Sequence, residues 1–296
     1  MTVDTRSAGA AASASSTTAL GFGAILLWST LATLTALKGP AVPPFQTTAL
    51  TFTIGGLFLL GLAGARGRWH RLVPSPAAFA LALAGLFTYH ALYFAALRLA
   101  PAAEAGLLSS LWALLTVLMS GLLPGHRLRW QHVLAAVLGL VAAGVLVSPD
   151  PASADTTSRY AGLALAMACA FVWSGYSVLS RLVAETPSEA LALPCLATAA
   201  LAGLCQLAFE PWILPTGVVT WTALLLLGLG PVGGAFFLWD IGMKHGNIAV
   251  LGVLAYASPV LSTALLIATD QATPSWQLAA ACALMVIAAA LVLRRD

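Results

Sequence analysis

The sequence predicts an all-α integral membrane protein with ten transmembrane helices, arranged as two inverted five-helix repeats with both termini cytoplasmic. Three observations carry this expectation: an extreme apolar composition, a one-sided distribution of Lys and Arg, and self-similarity between the two halves. Hydrophobic residues make up 60% of the 296 and charged residues only 8%, with a mean hydropathy of +0.94. A soluble domain carries roughly 25% charged residues, so this chain cannot cover a water-facing surface. Long unbroken apolar runs also argue against an outer-membrane barrel, whose strands alternate apolar and polar positions.

A spanning helix needs about 20 mainly apolar residues to cross the hydrocarbon layer. With Pro, Gly and charge read as punctuation, the first half gives spans at 20–38, 45–65, 77–97, 103–123 and 130–147. The second half gives 160–183, 190–209, 218–241, 248–268 and 276–293. Residues 1–18 are small and polar and are expected to form a disordered cytoplasmic tail. The first repeat then covers 19–148, a linker 149–159, and the second repeat 160–296. The connections are short. Four cysteines, Cys169, Cys195, Cys205 and Cys282, lie in apolar runs without CxxC spacing and read as small buried hydrophobes.

Orientation follows from the cations. With the N-terminus inside, Arg6, Arg66, Arg68, Arg71, Arg127, Arg129, Arg181, Lys244, Arg294 and Arg295 fall on the inner side. Only Lys38, Arg98 and Arg159 of the 13 Lys and Arg fall outside. An odd number of spans would destroy that asymmetry. Trp69, Trp130, Trp212, Trp221 and Trp276 sit at or just beyond span ends, where amphipathic rings favour the interface. Trp28, Trp112 and Trp173 are mid-span and need another explanation.

Near an offset of 145–146 residues the halves match. Trp28-Ser29 pairs with Trp173-Ser174, Arg98 with Lys244, Gly106 with Gly252, and Trp130-Gln131 with Trp276-Gln277. A five-span repeat necessarily sets its second copy upside down. Inverted repeats with a site near the midplane between them are a recurring plan of secondary transporters.

With these residues in view, the chain resembles the ten-span drug/metabolite transporter superfamily in its EamA-like branch. Trp28-Ser29 and Trp173-Ser174 carry the resemblance, with "ALRLAPAAEAGLLSSLWALLTVLMSGLL" and its counterpart "GMKHGNIAVLGVLAYASPVLSTALLIAT". Members often carry a glutamate after the fourth and ninth helices; here those places read "PGHRLRWQ" and "TDQATPSWQ". Within the superfamily, "TYHALYFAAL" followed by "SSLW" is most similar to the aromatic amino-acid and paraquat exporters. That resemblance implies export of amino acids and related small metabolites across the bacterial inner (plasma) membrane.

Depth counted at ~1.5 Å per residue brings several polar and aromatic residues to the central third of the bilayer. They are Trp28, Tyr89, His90, Tyr93, Ser110, Trp112, Trp173, Tyr256 and Ser258, and these are the candidate substrate-binding residues. Tyr89, His90 and Tyr93 share one helical stripe by their i, i+3 and i+4 spacing. A histidine within hydrocarbon is a functional candidate by default, with a hydrogen-bonded structural role as the alternative. The stripe does not recur in the second copy, where Ala235, Phe236 and Trp239 stand in its place; an asymmetric substrate has no need of symmetry. Ser29 and Ser174 read equally as back-bonding to their own helices or as joining helices. Arg98 and Lys244 are topology signals with a possible gating role, and Asp240 with Lys244 forms an i, i+4 pair. The run "GLGPVGG" (228–234) is the best candidate for a kink.

The expected function is that of a secondary exporter of aromatic and other neutral amino acids, working by alternating access as a monomer. It uses no cofactor, metal or catalytic residue, and its partners are a small-molecule substrate and the lipid bilayer, with no nucleic acid. A membrane enzyme would want a metal or acid–base constellation, and the sequence holds no HExxH, P-loop or helically paired carboxylates. A transporter of phosphorylated sugars or nucleotide sugars would want mid-span cations. A cationic drug exporter would want a mid-span carboxylate.

Overall fold

The computed structural model describes residues 5–120, 130–147, 156–183, 185–245, 251, 254–255 and 257–293. Every regular element among these residues is helical. In chain order they are α1 (Thr5–Ser29), α2 (Leu31–Lys38), α3 (Pro44–Ala65), α4 (Pro76–Leu99), α5 (Ala102–Ser109), α6 (Trp112–Ser120), α7 (Trp130–Val147) and α8 (Thr156–Ser180). There follow α9 (Ala192–Phe209), α10 (Val218–Leu227), a π-helical turn (Gly228–Gly234), α11 (Ala235–His245), α12 (Ala257–Ala268) and α13 (Trp276–Leu293). Residues 5–18, expected as a tail, continue the first span as helix. Most of the expected linker lies outside the described residues, as does Tyr256.

Six helical stretches are long and apolar enough to cross a membrane: Ser16–Lys38, Pro44–Ala65, Pro76–Leu99, Thr157–Ser180, Ser188–Phe209 and Val218–Gly242. Four shorter apolar helices, Ala102–Thr116, Val133–Val145, Ala257–Ala268 and Trp276–Ala288, fall where the other expected spans lie.

Three of the spans are broken, each by identifiable chemistry. Between α1 and α2, Ser29 Oγ donates to Ile25 O at 2.8 Å and Thr30 Oγ1 to Leu27 O at 2.7 Å. Such back-bonding competes with the ladder and bends helices. Between α5 and α6, Ser109 and Ser110 both donate to Gly106 O, at 2.9 and 2.7 Å. The third break is the "GLGPVGG" run. Pro231 lacks the N–H a continuous helix requires, and the Ala235 N–H bonds Gly230 O, five residues back, in π register.

The main packing partners join the two halves of the chain: α3 with α9, α4 with α8, α1 with α11, and α7 with α13. Small residues allow the close approaches, as membrane helix packing favours. A Cβ added at Gly85 of α4 would lie 2.6 Å from Tyr176 Cδ2 of α8. Two apolar clusters result. One gathers Ala and Leu side chains of α5, α7, α8 and α13, and the other holds the buried rings of α3, α4, α8 and α11.

Candidate functional site

The centre of the second cluster is a cage of aromatic rings drawn from four helices. Trp28 of α1 lies edge-on to Trp112 of α6 (centroids 6.4 Å apart) and to Trp173 of α8 (5.8 Å). Trp239 of α11 approaches Trp28 to 5.2 Å and Trp112 to 6.2 Å. Phe236 of α11 stacks on Trp173 at 5.7 Å. Offset and edge-on pairs at such spacings are the favoured geometries, each worth ~0.5–1.5 kcal/mol beyond burial.

The α4 stripe closes one side of this cage. Tyr89 stacks on Tyr93 (5.7 Å, 12° between planes) and meets Trp173 at 5.1 Å. His90 is 2% exposed and sits among Phe52 (4.6 Å), Phe94 (5.9 Å) and Phe236 (5.8 Å). Its Nδ1 is 2.9 Å from Leu86 O, one turn back. A carbonyl only accepts, so this contact assigns the proton to Nδ1 and leaves Nε2 with the free lone pair.

Two cavities meet at the cage. The larger, about 1060 Å³, runs past Arg66, Arg68, Arg71, Glu185 and Asp240 and reaches Trp112, Trp173, Phe236 and Trp239. The smaller, about 50 Å³, is bordered by Trp28, Tyr89, His90, Tyr93, Ser109, Ser110, Ser258 and Ser262. Trp112, Trp173 and Phe236 border both, and so form a septum of rings between them. A ligand cavity for a small molecule typically spans ~300–1,000 Å³. The larger cavity therefore has room for one, while the smaller holds no more than a water or two.

Eight of the nine candidate binding residues can thus be located. Trp28, Tyr89, His90, Tyr93, Ser110, Trp112, Trp173 and Ser258 all border the smaller cavity, and Tyr256 lies outside the described residues. Arg98 is exposed at the end of α4 and borders neither cavity. Lys244 belongs to α11, and its side chain is not described. Sequence reasoning missed Phe236 and Trp239 as cage members. The signal was present, because both stand at the repeat positions of His90 and Tyr93, where they were read only as loss of the stripe. Asp240 accepts a short hydrogen bond from Ser188 Oγ, which fixes its carboxylate at the wall of the larger cavity.

The repeated Trp-Ser dipeptides join the halves. Ser29 Oγ lies 3.5 Å from Ser258 Oγ, and Ser174 Oγ lies 2.8 Å from Trp112 O. Residues 112 and 258 are themselves 146 apart, so the two contacts are counterparts. Each serine also bonds its own helix, through Ile25 O and Ala170 O. Ion pairs mark the two ends of the bundle. Arg68 Nη1 meets Glu189 Oε1 at 2.6 Å beside the larger cavity. Away from both cavities, Arg159 Nη2 meets Glu104 Oε2 at 3.0 Å and bridges α8 to α5.

A bundle of apolar helices with charges at its ends and a ring septum between two central cavities defines a polytopic membrane transporter. The chain belongs to the EamA-like transporter family, whose model matches residues 15–148 and 160–294. It is 52% identical over 280 residues to the aromatic amino acid exporter YddG of Ancylobacter novellus, covering 94% of this chain and 97% of that one. The aromatic amino acid exporter YddG of Escherichia coli is 28% identical over 261 residues, covering 84% and 86% of the two chains. A solved crystal structure 52% identical to this chain matches with a TM-score of 0.76, covering 94% of this chain and 96% of that one. The protein is a multi-pass transporter of the bacterial inner membrane, not an enzyme, and its substrate is a small molecule.

Proposed function

We propose that this transporter exports aromatic and other neutral amino acids, with related small metabolites, by alternating access. The observation that carries the reading is the ring septum. Trp112, Trp173 and Phe236 face a cavity large enough for an amino acid on one side and a nearly closed one on the other. Rings offer stacking to an aromatic side chain and cation–π attraction to an ammonium group. The smaller cavity adds the hydroxyls of Ser109, Ser110, Ser258 and Ser262 for the polar end. The exporter names of the relatives point the same way.

In this reading the chain crosses the membrane ten times, as two inverted repeats. Support comes from the twofold family match and from the packing pairs, because α1 with α11 and α4 with α8 exchange under the repeat. The paired serine contacts obey the same symmetry. With Arg66, Arg68 and Arg71 inside by the positive-inside rule, the larger cavity opens to the cytoplasm and Glu104–Arg159 closes the outer face. The arrangement is then inward-facing. Substrate enters past the arginines, docks on the septum, and leaves when the smaller cavity widens. Both cavities form within one chain, which suits a functional monomer.

Among the described residues neither Lys nor Arg borders the smaller cavity, and Arg66, Arg68 and Arg71 border only the larger one, which disfavours phosphorylated sugars at the septum. Among the described residues no carboxylate borders the smaller cavity, and Glu189 and Asp240 of the larger one are held by Arg68 and Ser188, which disfavours a cationic drug exporter. Flux of labelled L-phenylalanine and a panel of other amino acids in liposomes tests the proposal: saturable efflux is expected, and no flux for any member of the panel refutes it.

A further inference from the structure

Trp28 makes one hydrogen bond that the substrate cage does not need. Trp28 Nε1 donates to the carbonyl oxygen of Pro231 at 3.0 Å, across 203 residues of sequence. Pro231 is the centre of the π turn Gly228–Gly234 that interrupts α10 and α11. π turns and prolines are the recognised weak points of a long helix. This one is pressed against α3: a Cβ on Gly55 would lie 2.8 Å from Val232 Cγ1 and 2.9 Å from Gly228 O. Backbone therefore meets backbone there, while Ile54 and Phe58 of α3 and Leu27 of α1 pack on the other glycines of the turn, and the Trp28 indole supplies a side-chain hydrogen bond to it.

Beyond the turn, α11 carries Phe236 and Trp239 into the cage. The indole of Trp28 touches both of them, at 6.0 and 5.2 Å, as well as Trp112 and Trp173. One end of this ring thus faces the site and the other holds the break in the opposite half of the chain.

We infer that Trp28 is a positioning residue that couples occupancy of the cage to the π turn at Gly228–Gly234, through its hydrogen bond to Pro231 O. Its N–H is committed to the helix and serves no substrate oxygen. A ligand that tilts the Trp28 ring stretches or releases that bond, and the α10–α11 break then flexes, carrying Phe236 and Trp239 with it. This inference rests on the alternating-access reading for its purpose. The bond and the turn it restrains exist in the resting protein without it.

The test uses Trp28→Phe, which keeps an aromatic ring and removes the donor. The full-length protein is held in lipid nanodiscs, and amide hydrogen exchange is followed across residues 228–234 without added ligand. Exchange there is expected to rise roughly fivefold, the factor that an ordinary hydrogen bond represents, with α4 unchanged. Trp112→Phe, which trims the same cage without touching the bond, leaves exchange at 228–234 as in the parent. Should Trp28→Phe fold poorly, Trp28→Met serves instead: it fills much of the indole's volume, carries no donor, and is expected to give the same rise in exchange at 228–234.

In liposomes, Trp28→Phe is expected to lower maximal L-phenylalanine flux at least fivefold with KM changed less than twofold. Unchanged exchange at 228–234 in Trp28→Phe overturns the coupling, whatever the flux. A raised KM at unaltered maximal flux also overturns it, because it would make the indole N–H a substrate donor. If the parent protein moves no amino acid, the functional proposal falls while the exchange comparison still decides the coupling.

Discussion

On the inward-facing reading proposed above, the Glu104–Arg159 pair sets a measurable barrier to opening the outer face. Arg159 Nε and Nη2 both reach Glu104 Oε2 at 3.0 Å, and the side chains are 6% and 19% exposed. Glu104→Gln keeps a hydrogen-bond acceptor and removes the charge, which takes from a nearly buried guanidinium the carboxylate at 3.0 Å. Removing one partner of a fully buried pair costs ~3–5 kcal/mol. With Glu104 one-fifth exposed, ~2–3 kcal/mol is the appropriate figure. The penalty falls on the arrangement in which α5 and α8 meet, so the balance shifts toward outer opening by roughly 30- to 150-fold. In a background without the four native cysteines, Ser110→Cys reports the smaller cavity through its reaction with a membrane-impermeant thiol reagent added outside. Glu104→Gln should accelerate labelling by at least tenfold, and the reversed pair Glu104→Arg with Arg159→Glu should restore the slow rate. Labelling that stays within twofold of the parent refutes the assignment of this pair as the outer closure.

Further expectations follow from the cage and its packing. Trp112→Ala removes a half-buried septum ring and should reduce L-phenylalanine flux at least tenfold, while size-exclusion profiles show folded protein. His90→Ala should weaken transport through lost cage packing yet leave the shape of its pH profile unchanged; a flattened profile would instead assign proton transfer to this ring. Gly85→Val drives a side chain into Tyr176 at the α4–α8 contact and should cost ~1–3 kcal/mol, seen as a lower unfolding midpoint in detergent.

Much of the fold was legible in the sequence because hydrocarbon demands long apolar helices and leaves little choice of element. The kink at 228–234 was readable from Gly and Pro alone, and the structure places a π turn there. Helix breaks at Thr30 and at Ser110–Leu111 were not read, because they depend on which carbonyl a hydroxyl reaches. The stripe of Tyr89, His90 and Tyr93 declared itself by spacing on one helix. Its completion by Phe236 and Trp239 was signalled only by their repeat positions, and the packing of α11 on α1 is what brings those rings across. Charge partners were equally hidden: Arg159 and Glu104 looked like unrelated helix-end charges 55 residues apart. Arg98, read from its place in the repeat mainly as a topology signal, is exposed at the end of α4.

In the exporter proposed above, the ring septum passes an amino acid from one cavity to the other. Liposomes loaded with labelled L-phenylalanine, containing either the parent protein or Trp112→Ala, test it most directly. Saturable efflux from the parent, competition by other neutral amino acids, and loss of most flux in the variant are expected. Parent-level flux through Trp112→Ala, or no flux of any amino acid through the parent, would contradict it.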